Sequence, residues 1–331
     1  MSAARLLTSE RVAATGRRER RPVTAWLERP LLDLDALDLD RAGHVTYLLH
    51  QRFRYDYESP AYDLRQRLVV LPRARHGGMR RLAHRVSVSS PGARSTARPD
   101  REGNLVLRVR LPMVPESVEF SVAAVVERDG PVADARVPAA ALSDPRYLRP
   151  TRLTRADTAL RAVAAELRAA ASDDVEFAEA GCARVGADLD YAFEATGVRT
   201  TAAEAYATGR GVCQDYAHVL LALCRAAGVP ARYISGHLLG QQGGSHAWVE
   251  VLVPDGNQAR ALAVDPANGC RAGSRHLPVA VGRDYADVAP TSGHYTGPAR
   301  GRLTCTKRAG VSAIHSGDGP RTPGASGHSG W

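Results

Sequence analysis

The first half of the chain alternates between apolar and polar positions in short runs, separated by clusters of turn-forming residues. A period of two is the pattern of a half-buried strand, and short strands at this spacing are typical of an antiparallel β-sandwich. We therefore predict an N-terminal β-sandwich domain over residues 43–138. Its strands are predicted within residues 47–55, 64–71, 84–88, 105–109 and 118–126.

In the second half, apolar residues recur at helical spacing before the pattern returns to strands. Thr154 is a plausible N-cap for the first helix, because a threonine side chain can accept a hydrogen bond from the first helical turn. A short helix is predicted to begin at Thr201 and to end at Gly209, since glycine suits the left-handed C-terminal position. The other predicted helices span residues 154–170, 175–191 and 213–227, and the predicted strands span 231–239, 246–253 and 259–265.

Shifts in composition mark the ends of these two regions. Residues 1–42 are rich in Arg and Asp and are predicted to form a poorly ordered extension. Prolines are concentrated around residues 139–152, which we interpret as a linker. Residues 298–331 are rich in Gly, Ser, Pro and Thr, a composition typical of a disordered tail. The second domain is therefore predicted to span residues 153–297.

Composition narrows the class of protein. Hydrophobic residues make up 44% of the chain, which suffices for a sizeable core, and the formal net charge is +9. The basic residues are nearly all Arg, and they are densest at residues 17–21, within the predicted extension. A nucleic-acid-binding protein would more often concentrate them in a stripe on a folded element. We therefore expect no nucleic-acid partner.

Membrane and metal chemistry are also not expected. The sequence has no run of about 18 apolar residues and no apolar signal region near its start, so we predict no membrane partner and a cytoplasmic location. The five cysteines are widely spaced and form no CxxC pair, which argues against a disulfide framework or a zinc site. No metal or cofactor is required, and a reduced chain with one special thiol fits better.

One cysteine stands where a helix is predicted to begin. Gly209 and Gly211 lead into Cys213, and apolar residues give the following helix a buried face. Unpaired N–H groups and the helix dipole at such an N-terminus stabilise an anion, and the thiolate is the reactive form of cysteine. The same N–H groups could hold an oxyanion, for which Gln214 and Tyr191 are both candidate second donors by residue type.

A base and an orienting group follow at the ends of two predicted strands. His246 begins one strand, and Asp265 ends the next. Neighbouring antiparallel strands can place these two residues side by side. Asp265 would then hold the imidazole in one tautomer, and His246 would form an ion pair with the Cys213 thiolate. The pattern predicts a catalytic triad of these three residues.

Five blocks of sequence, in this order, resemble the bacterial transglutaminase-like family. The blocks are Gly211–His218, Gly228–Gly236, Ser245–Val251, Asp265–Gly269 and Val281–Val288. The resemblance implies an α+β fold in which an N-terminal antiparallel β-sandwich precedes a papain-like catalytic core. It also implies a Cys–His–Asp triad, which falls on Cys213, His246 and Asp265.

This chain departs from the family at two places. The strand before Asp265 lacks the aromatic residue usual there, which puts substrate contacts in doubt. The segment before His246, residues 239–244, is short and rich in glycine, which suggests a mobile loop.

Three further residues near the triad receive structural interpretations. Asp215 falls in the first helical turn, where a carboxylate satisfies backbone donors, so capping is favoured over catalysis. His218 lies five residues after Cys213 and is interpreted as a supporting group rather than the base. Trp248 lies two residues past His246, where it could shield the ion pair from water or fill the core.

The predicted activity is that of a cysteine enzyme acting on amide or peptide bonds through a thioester. The expected substrate is a protein or peptide, or a small amide, and hydrolysis is favoured, which makes the chain a protease or amidase. Two alternatives stay open. An amine could complete the reaction, as in protein crosslinking by transglutaminases, or the triad could be silent in a binding or scaffold module.

Overall fold

The computed structural model describes residues 7–9, 23–241 and 243–316. The first strands are β1 (Leu7–Ser9), β2 (Ala42–Tyr57), β3 (Ala61–Leu68), β4 (Arg75–His76), β5 (Met79–Val88), β6 (Arg94–Pro99), β7 (Leu105–Val114), β8 (Ser117–Asp129) and β9 (Ala135–Pro138). The helices are α1 (Val23–Leu27), α2 (Pro145–Leu148), α3 (Thr158–Ala170), α4 (Asp174–Asp188), α5 (Ala202–Thr208), α6 (Cys213–Ala226) and α7 (Tyr285–Val288). The later strands are β10 (Asp190–Tyr191), β11 (Arg210–Gly211), β12 (Ala231–Leu238), β13 (His246–Asp255), β14 (Gln258–Asp265), β15 (Cys270–Arg271), β16 (His276–Gly282), β17 (Thr291–Thr296) and β18 (Gly301–Ser316).

Two antiparallel sheets form the predicted β-sandwich. One sheet has the strand order β1-β5-β8-β2-β18, with β4 beside β5, and the other has the order β17-β3-β7-β6. Phe53 and Phe120 of the first sheet and Leu64 and Leu107 of the second belong to one buried apolar cluster. In β7, buried apolar residues alternate with exposed arginines, as a strand with one covered face requires.

The second half of the chain folds as an α+β unit, as predicted. Its sheet has the order β15-β14-β13-β12-β16, with β9 added beside β14. Helix α6 packs against β12 and β13 on one side and against α3, α4 and α5 on the other. Every residue from Gln214 to Arg225 is buried. Because α6 is enclosed on all sides, its sequence is apolar around most of its circumference.

The predicted ends of the short helix α5 are confirmed. The Thr201 hydroxyl accepts a hydrogen bond from the Glu204 N–H, and the Glu204 carboxylate accepts one from the Thr201 N–H. This capping box satisfies two backbone donors at once. The helix then stops at Gly209, whose φ of 64° lies in the left-handed region.

Two helix boundaries differ from the prediction. Asp157, not Thr154, caps α3, because the Thr154 hydroxyl is engaged by the Arg225 guanidinium instead. Helix α4 ends at Asp188, and Tyr191 belongs to the short strand β10, which pairs with β11 just before Cys213. Among the described residues, no helix has the length and apolar character needed to span a bilayer.

The prediction of a disordered tail over residues 298–331 is wrong for its first half. Residues 301–316 form β18, which pairs with β2 from Gly301 opposite Tyr57 to Ser316 opposite Ala42. The composition misled because a long edge strand is stabilised by its backbone ladder and needs few apolar side chains. Residues 317–331 lie outside the described part of the chain.

The predicted domain limits also need correction, because chain segments cross between the two units. The predicted extension is ordered from residue 23, where α1 begins, and Val23 and Leu39 are buried. Residues 10–22 lie outside the described part. Strand β9, predicted to lie in the sandwich, pairs with β14 of the second unit, whereas β17, predicted to lie in the second domain, pairs with β3 of the sandwich. Each of these strands belongs to the unit whose sheet it pairs with, and its place in the chain does not reveal which unit that is.

Val311→Ala tests whether β18 packs as an integral strand. Val311 is 0% exposed, so the lost methyl groups and the remaining cavity should lower the free energy of unfolding by about 2 kcal/mol. Leu303→Ala is the control on the same strand, because Leu303 is 44% exposed and its truncation should change stability by less than about 0.5 kcal/mol. Urea unfolding measures both, and equal effects would contradict this packing.

Candidate active site

The start of α6 is held in place around the candidate nucleophile. Val212 is the N-cap residue and Cys213, which is half-buried, is the first residue of the helix. Asp215, two residues further, is fully buried, and its carboxylate accepts hydrogen bonds from the Val212 N–H at 2.9 Å and from the Thr196 hydroxyl at 2.5 Å. Asp215 therefore caps the start of the helix.

Two strand ends bring a histidine and an aspartate to the same place. His246 is the first residue of β13 and Asp265 is the last residue of β14, and these strands are antiparallel with Val249 opposite Val264. His246 Nε2 lies 2.7 Å from Asp265 Oδ2. The Cys213 side chain lies close enough to the imidazole to raise its pKa. Of the three residues predicted as a triad, His246 and Asp265 are thus hydrogen-bonded, and Cys213 lies near the ring.

The Asp265 carboxylate is completely buried but fully satisfied by donors. Besides His246, it accepts hydrogen bonds from the Ala267 N–H at 3.1 Å, the Asn268 amide at 2.7 Å and His276 Nε2 at 3.0 Å. A buried charge is tolerated only when such partners replace water. This shell explains why an ionised carboxylate is stable at this position.

The tautomer of His276 follows from its second contact. Its Nδ1 accepts a hydrogen bond from the Gly273 N–H at 3.0 Å, so in the neutral ring the proton is assigned to Nε2, which donates to Asp265. Neither His276 nor Asn268 was singled out in the sequence. Asn268 lies within the block that starts at Asp265 and could have been noticed there, but His276 is brought in only by the pairing of β16 with β12.

The electrostatics of the site favour a charged His246 beside a charged Asp265. Burial lowers the pKa of His246, but the attraction of Asp265 and Cys213 outweighs burial and raises the pKa to about 9. Burial raises the pKa of Asp265, but the hydrogen bonds from His246 and His276 bring it well below its usual range. The site therefore holds a carboxylate beside an imidazolium at neutral pH.

The two candidate oxyanion donors occupy different positions. Tyr191 lies near Cys213, and burial together with the charge of Cys213 raises the Tyr191 pKa to about 12. The phenol is therefore a proton donor at neutral pH. Gln214 is buried, and its amide donates a hydrogen bond to the Gly197 carbonyl at 3.4 Å. Of the two candidates, Tyr191 is therefore the one whose polar group is influenced by Cys213.

Trp248 closes the side of the site that faces the sandwich. Its ring is 2% exposed and lies 6.1 Å from the His246 ring and 5.2 Å, edge to face, from the His276 ring. Gly236 makes room for it, since a Cβ there would lie 2.4 Å from the indole. Trp248 thus excludes water from one side of the imidazole pair.

His218 lies in the core and does not contact the sulfur. Its Nε2 accepts a hydrogen bond from the Tyr285 N–H at 3.2 Å, and burial lowers its pKa to about 3. The ring is therefore neutral and holds the start of α7 against α6.

Within the described residues, one group of side chains at the site could offer ligands to a metal ion, but its members already hydrogen-bond one another. His246, Asp265 and His276 bring possible metal-ligand atoms within 4.8 Å of one another. A metal at His276 Nε2 would need the ring proton on Nδ1, where the Gly273 N–H already donates. The residues therefore fit a proton-transfer network better than a metal site.

Known proteins share both parts of this architecture. Residues 161–266 match the transglutaminase-like superfamily, and residues 47–127 match the bacterial transglutaminase-like N-terminal region. A proposed cysteine protease from Cytophaga hutchinsonii, of known crystal structure, has a TM-score of 0.63 at 20% identity, over 80% of this chain and 91% of that one. This likeness shows that the fold is shared.

Mycobacterial relatives are similar over part of their length. An uncharacterized protein of Mycobacterium leprae is 36% identical over 160 residues, which cover 45% of this chain and 55% of that protein. An uncharacterized protein of Mycobacterium tuberculosis is 34% identical over 121 residues, which cover 33% of this chain and 38% of that protein. The match therefore spans about half of the first relative and less of the second. Because the N-terminal region and the core occur together and in order, the chain belongs to the bacterial transglutaminase-like family.

Proposed function

We propose that this protein is a cysteine hydrolase that cleaves amide or peptide bonds through a thioester on Cys213. The observation that carries the proposal is the position of His246, which hydrogen-bonds Asp265 at 2.7 Å and lies close enough to Cys213 for that side chain to raise its pKa. Such a chain of nucleophile, base and orienting carboxylate activates a weak nucleophile. The substrate we propose is a protein or peptide, or a small amide.

In the acylation step, the Cys213 sulfur forms a bond to the carbonyl carbon and the carbonyl oxygen takes up the negative charge. The Cys213 N–H and the Tyr191 hydroxyl are the donors that would stabilise this oxyanion. When the carbon–nitrogen bond breaks, His246 transfers its proton to the leaving amine. The product is an acyl thioester, and His246 is left neutral.

In the second step, water donates a proton to His246 and attacks the thioester carbon as the carbon–sulfur bond breaks. The carboxylic acid leaves, and the thiolate–imidazolium pair is restored. An amine in place of water would give transamidation. We favour water because nothing in the described part of the chain is dedicated to binding a lysine donor.

His276 acts in this scheme as a positioning residue. Its Nε2–H donates to the same Asp265 oxygen that His246 contacts, at 3.0 and 2.7 Å respectively. The oxygen is therefore held by two rings and by Asn268. This arrangement fixes the direction in which Asp265 meets His246, which in turn aims the imidazole at the sulfur.

Selective alkylation of Cys213 is the first test. Iodoacetamide at pH 7 should label Cys213 while sparing Cys270 and Cys305, which are exposed but whose pKa values burial raises. Peptide mapping by mass spectrometry identifies the labelled site. The two other cysteines serve as internal controls. Labelling of all three only at alkaline pH, at one common rate, would support a silent scaffold instead.

The pH dependence tests the role of Asp265. With a His246 pKa of about 9, kcat/KM on any amide substrate should fall as pH rises through about 9, because the leaving amine then lacks its proton donor. Asp265→Asn removes the main attraction that raises the pKa of His246. The fall in kcat/KM should therefore occur at lower pH, and the rate should drop by about 100-fold or more. Ring NMR of His246 reports the same shift, and His50, whose pKa burial lowers, is the control.

The same titration predicts a change in stability. The folded pKa of His246 lies above its unfolded value of 6.5, so protonation stabilises the fold fully below pH 6.5, and this contribution disappears as pH rises through about 9. The wild type should therefore lose stability over this interval, whereas Asp265→Asn should not. Urea unfolding at a series of pH values measures the difference, and identical profiles would contradict the ion pair.

The ratio of attack by water to attack by an amine on the thioester distinguishes hydrolysis from transamidation. We expect a glutamine-containing peptide to gain about 1 Da, as the amide becomes an acid, even with a primary amine such as cadaverine present. Mass spectrometry measures the ratio of acid to amine adduct, and Cys213→Ala is the control that should give neither product. A predominant adduct would make the protein a transglutaminase in activity as well as fold.

A further inference from the structure

One edge of the sandwich lies beside the segment that leads into His246. Among the described residues, β18 is the last strand of its sheet, paired with β2 on one side only. The Arg300 carbonyl accepts the Glu58 N–H on the β2 side, while the Val311 carbonyl accepts the Leu32 N–H on the other side, at 2.8 Å. Between these points the register with β2 is regular, so odd-numbered residues direct their backbone groups outward.

A groove of about 1180 Å³ is lined by this strand at Leu303 and over residues 305–310, and by Gln51 and Phe53 of β2. Leu303, Cys305 and Lys307 line one wall, and the groove is also lined by residues 31–35, 238–241 and 243–245. Ser245 immediately precedes His246. This volume exceeds the range of about 300–1000 Å³ typical of small-molecule pockets, which suits a stretch of polypeptide.

Lys307 ties the strand to the segment that carries His246. Its amine donates to the Gly244 carbonyl at 3.0 Å and to the Gln241 carbonyl at 3.3 Å. It is also the only lysine in the chain. The open edge is therefore held at a set position relative to His246 rather than lying on an independent part of the sandwich.

The far end of the same edge is already used for backbone pairing. The Leu32 N–H donates to the Val311 carbonyl, and the Arg308 guanidinium binds the carbonyls of Leu27 and Arg29. The N-terminal segment thus covers the edge near Val311. From residue 301 to residue 307 the outward backbone groups have no such cover within the described chain.

We infer that the outer edge of β18 over residues 301–307 binds the substrate as an added β-strand, so that the substrate class is an extended, unstructured polypeptide. The inference rests on the proposed function for the identity of the occupant. Strand addition gives affinity through main-chain hydrogen bonds, which makes it tolerant of sequence. The partly exposed Leu303 side chain adds an apolar contact in the groove.

An N-methyl scan tests strand addition without altering the protein. The probe is a fluorescein-labelled ten-residue peptide with one central glutamine flanked by alternating Val and Thr. It is bound to the Cys213→Ala protein, so the measurement does not depend on turnover. N-methylation at alternate peptide positions should weaken binding about tenfold each, and at the intervening positions hardly at all. Absence of a two-residue period, or absence of binding, would overturn the inference.

A pair of variants at one position locates the edge. Cys305→Pro removes one outward N–H, and Cys305→Ser keeps it. Proline is tolerated on an edge strand where its N–H would face solvent, so both variants should melt as the wild type does. With Cys213 intact, KM for the peptide should be about tenfold higher in the proline variant than in the serine variant. Iodoacetamide should label Cys213 to the same extent in both variants.

These readouts separate the inference from the proposed function. If Cys213 is not selectively labelled in the wild type or in either Cys305 variant, but the peptide still binds with a two-residue period, the proposed hydrolase activity is wrong and the proposed binding site is supported. If Cys213 is reactive but Cys305→Pro behaves as Cys305→Ser, only the proposed binding site is wrong. Should sedimentation show a dimer that Cys305→Pro dissociates, or should removal of residues 317–331 be needed for binding, the edge belongs to another occupant and the inference is wrong.

Discussion

The buried carboxylate of Asp265 is the constraint on which the site depends. It is excluded from water and survives as an anion because His246, His276, Asn268 and the Ala267 N–H all donate to it. Removing any one donor would leave a buried charge less well satisfied, which is expensive in a low-dielectric interior. Its attraction keeps His246 protonated, and the protonated ring is what can stabilise a thiolate at Cys213.

Residues of the sandwich hold the strands that carry the site through hydrogen bonds, which accounts for the close association of the two units. Glu250 lies on β13, the strand that starts with His246, and its carboxylate contacts His76 of the sandwich at 2.6 Å and Arg232 of β12 at 2.7 Å. Burial raises the pKa of Glu250, but Arg232 and His76 outweigh it and lower the pKa to about 2. Asn104 of the sandwich adds hydrogen bonds to both backbone groups of Val281. Strand β13, which begins with His246, is therefore held by contacts from both units.

The reach of sequence reasoning differed between the parts of the site. Cys213 could be predicted as a site residue because the glycines before it and the apolar helix after it are local signals. His246 and Asp265 could be predicted because the ends of strands are also marked locally. Tyr191 was named by residue type alone, and its selection over Gln214 needed the pairing of β10 with β11, which brings it beside Cys213. No local pattern identifies His276, because its partner lies on a different strand of the sheet.

By itself, the sequence determined the sandwich-then-core order of the fold, the start of α6 and the two strand ends that carry His246 and Asp265, because hydrophobic period and helix capping act over a few residues. Only the tertiary structure decided where the last strands belong. The composition of residues 301–316 resembles a disordered tail, yet β2 offers a full backbone ladder for them. Such pairing depends on an open partner edge more than 200 residues away in the chain, which no local composition reports.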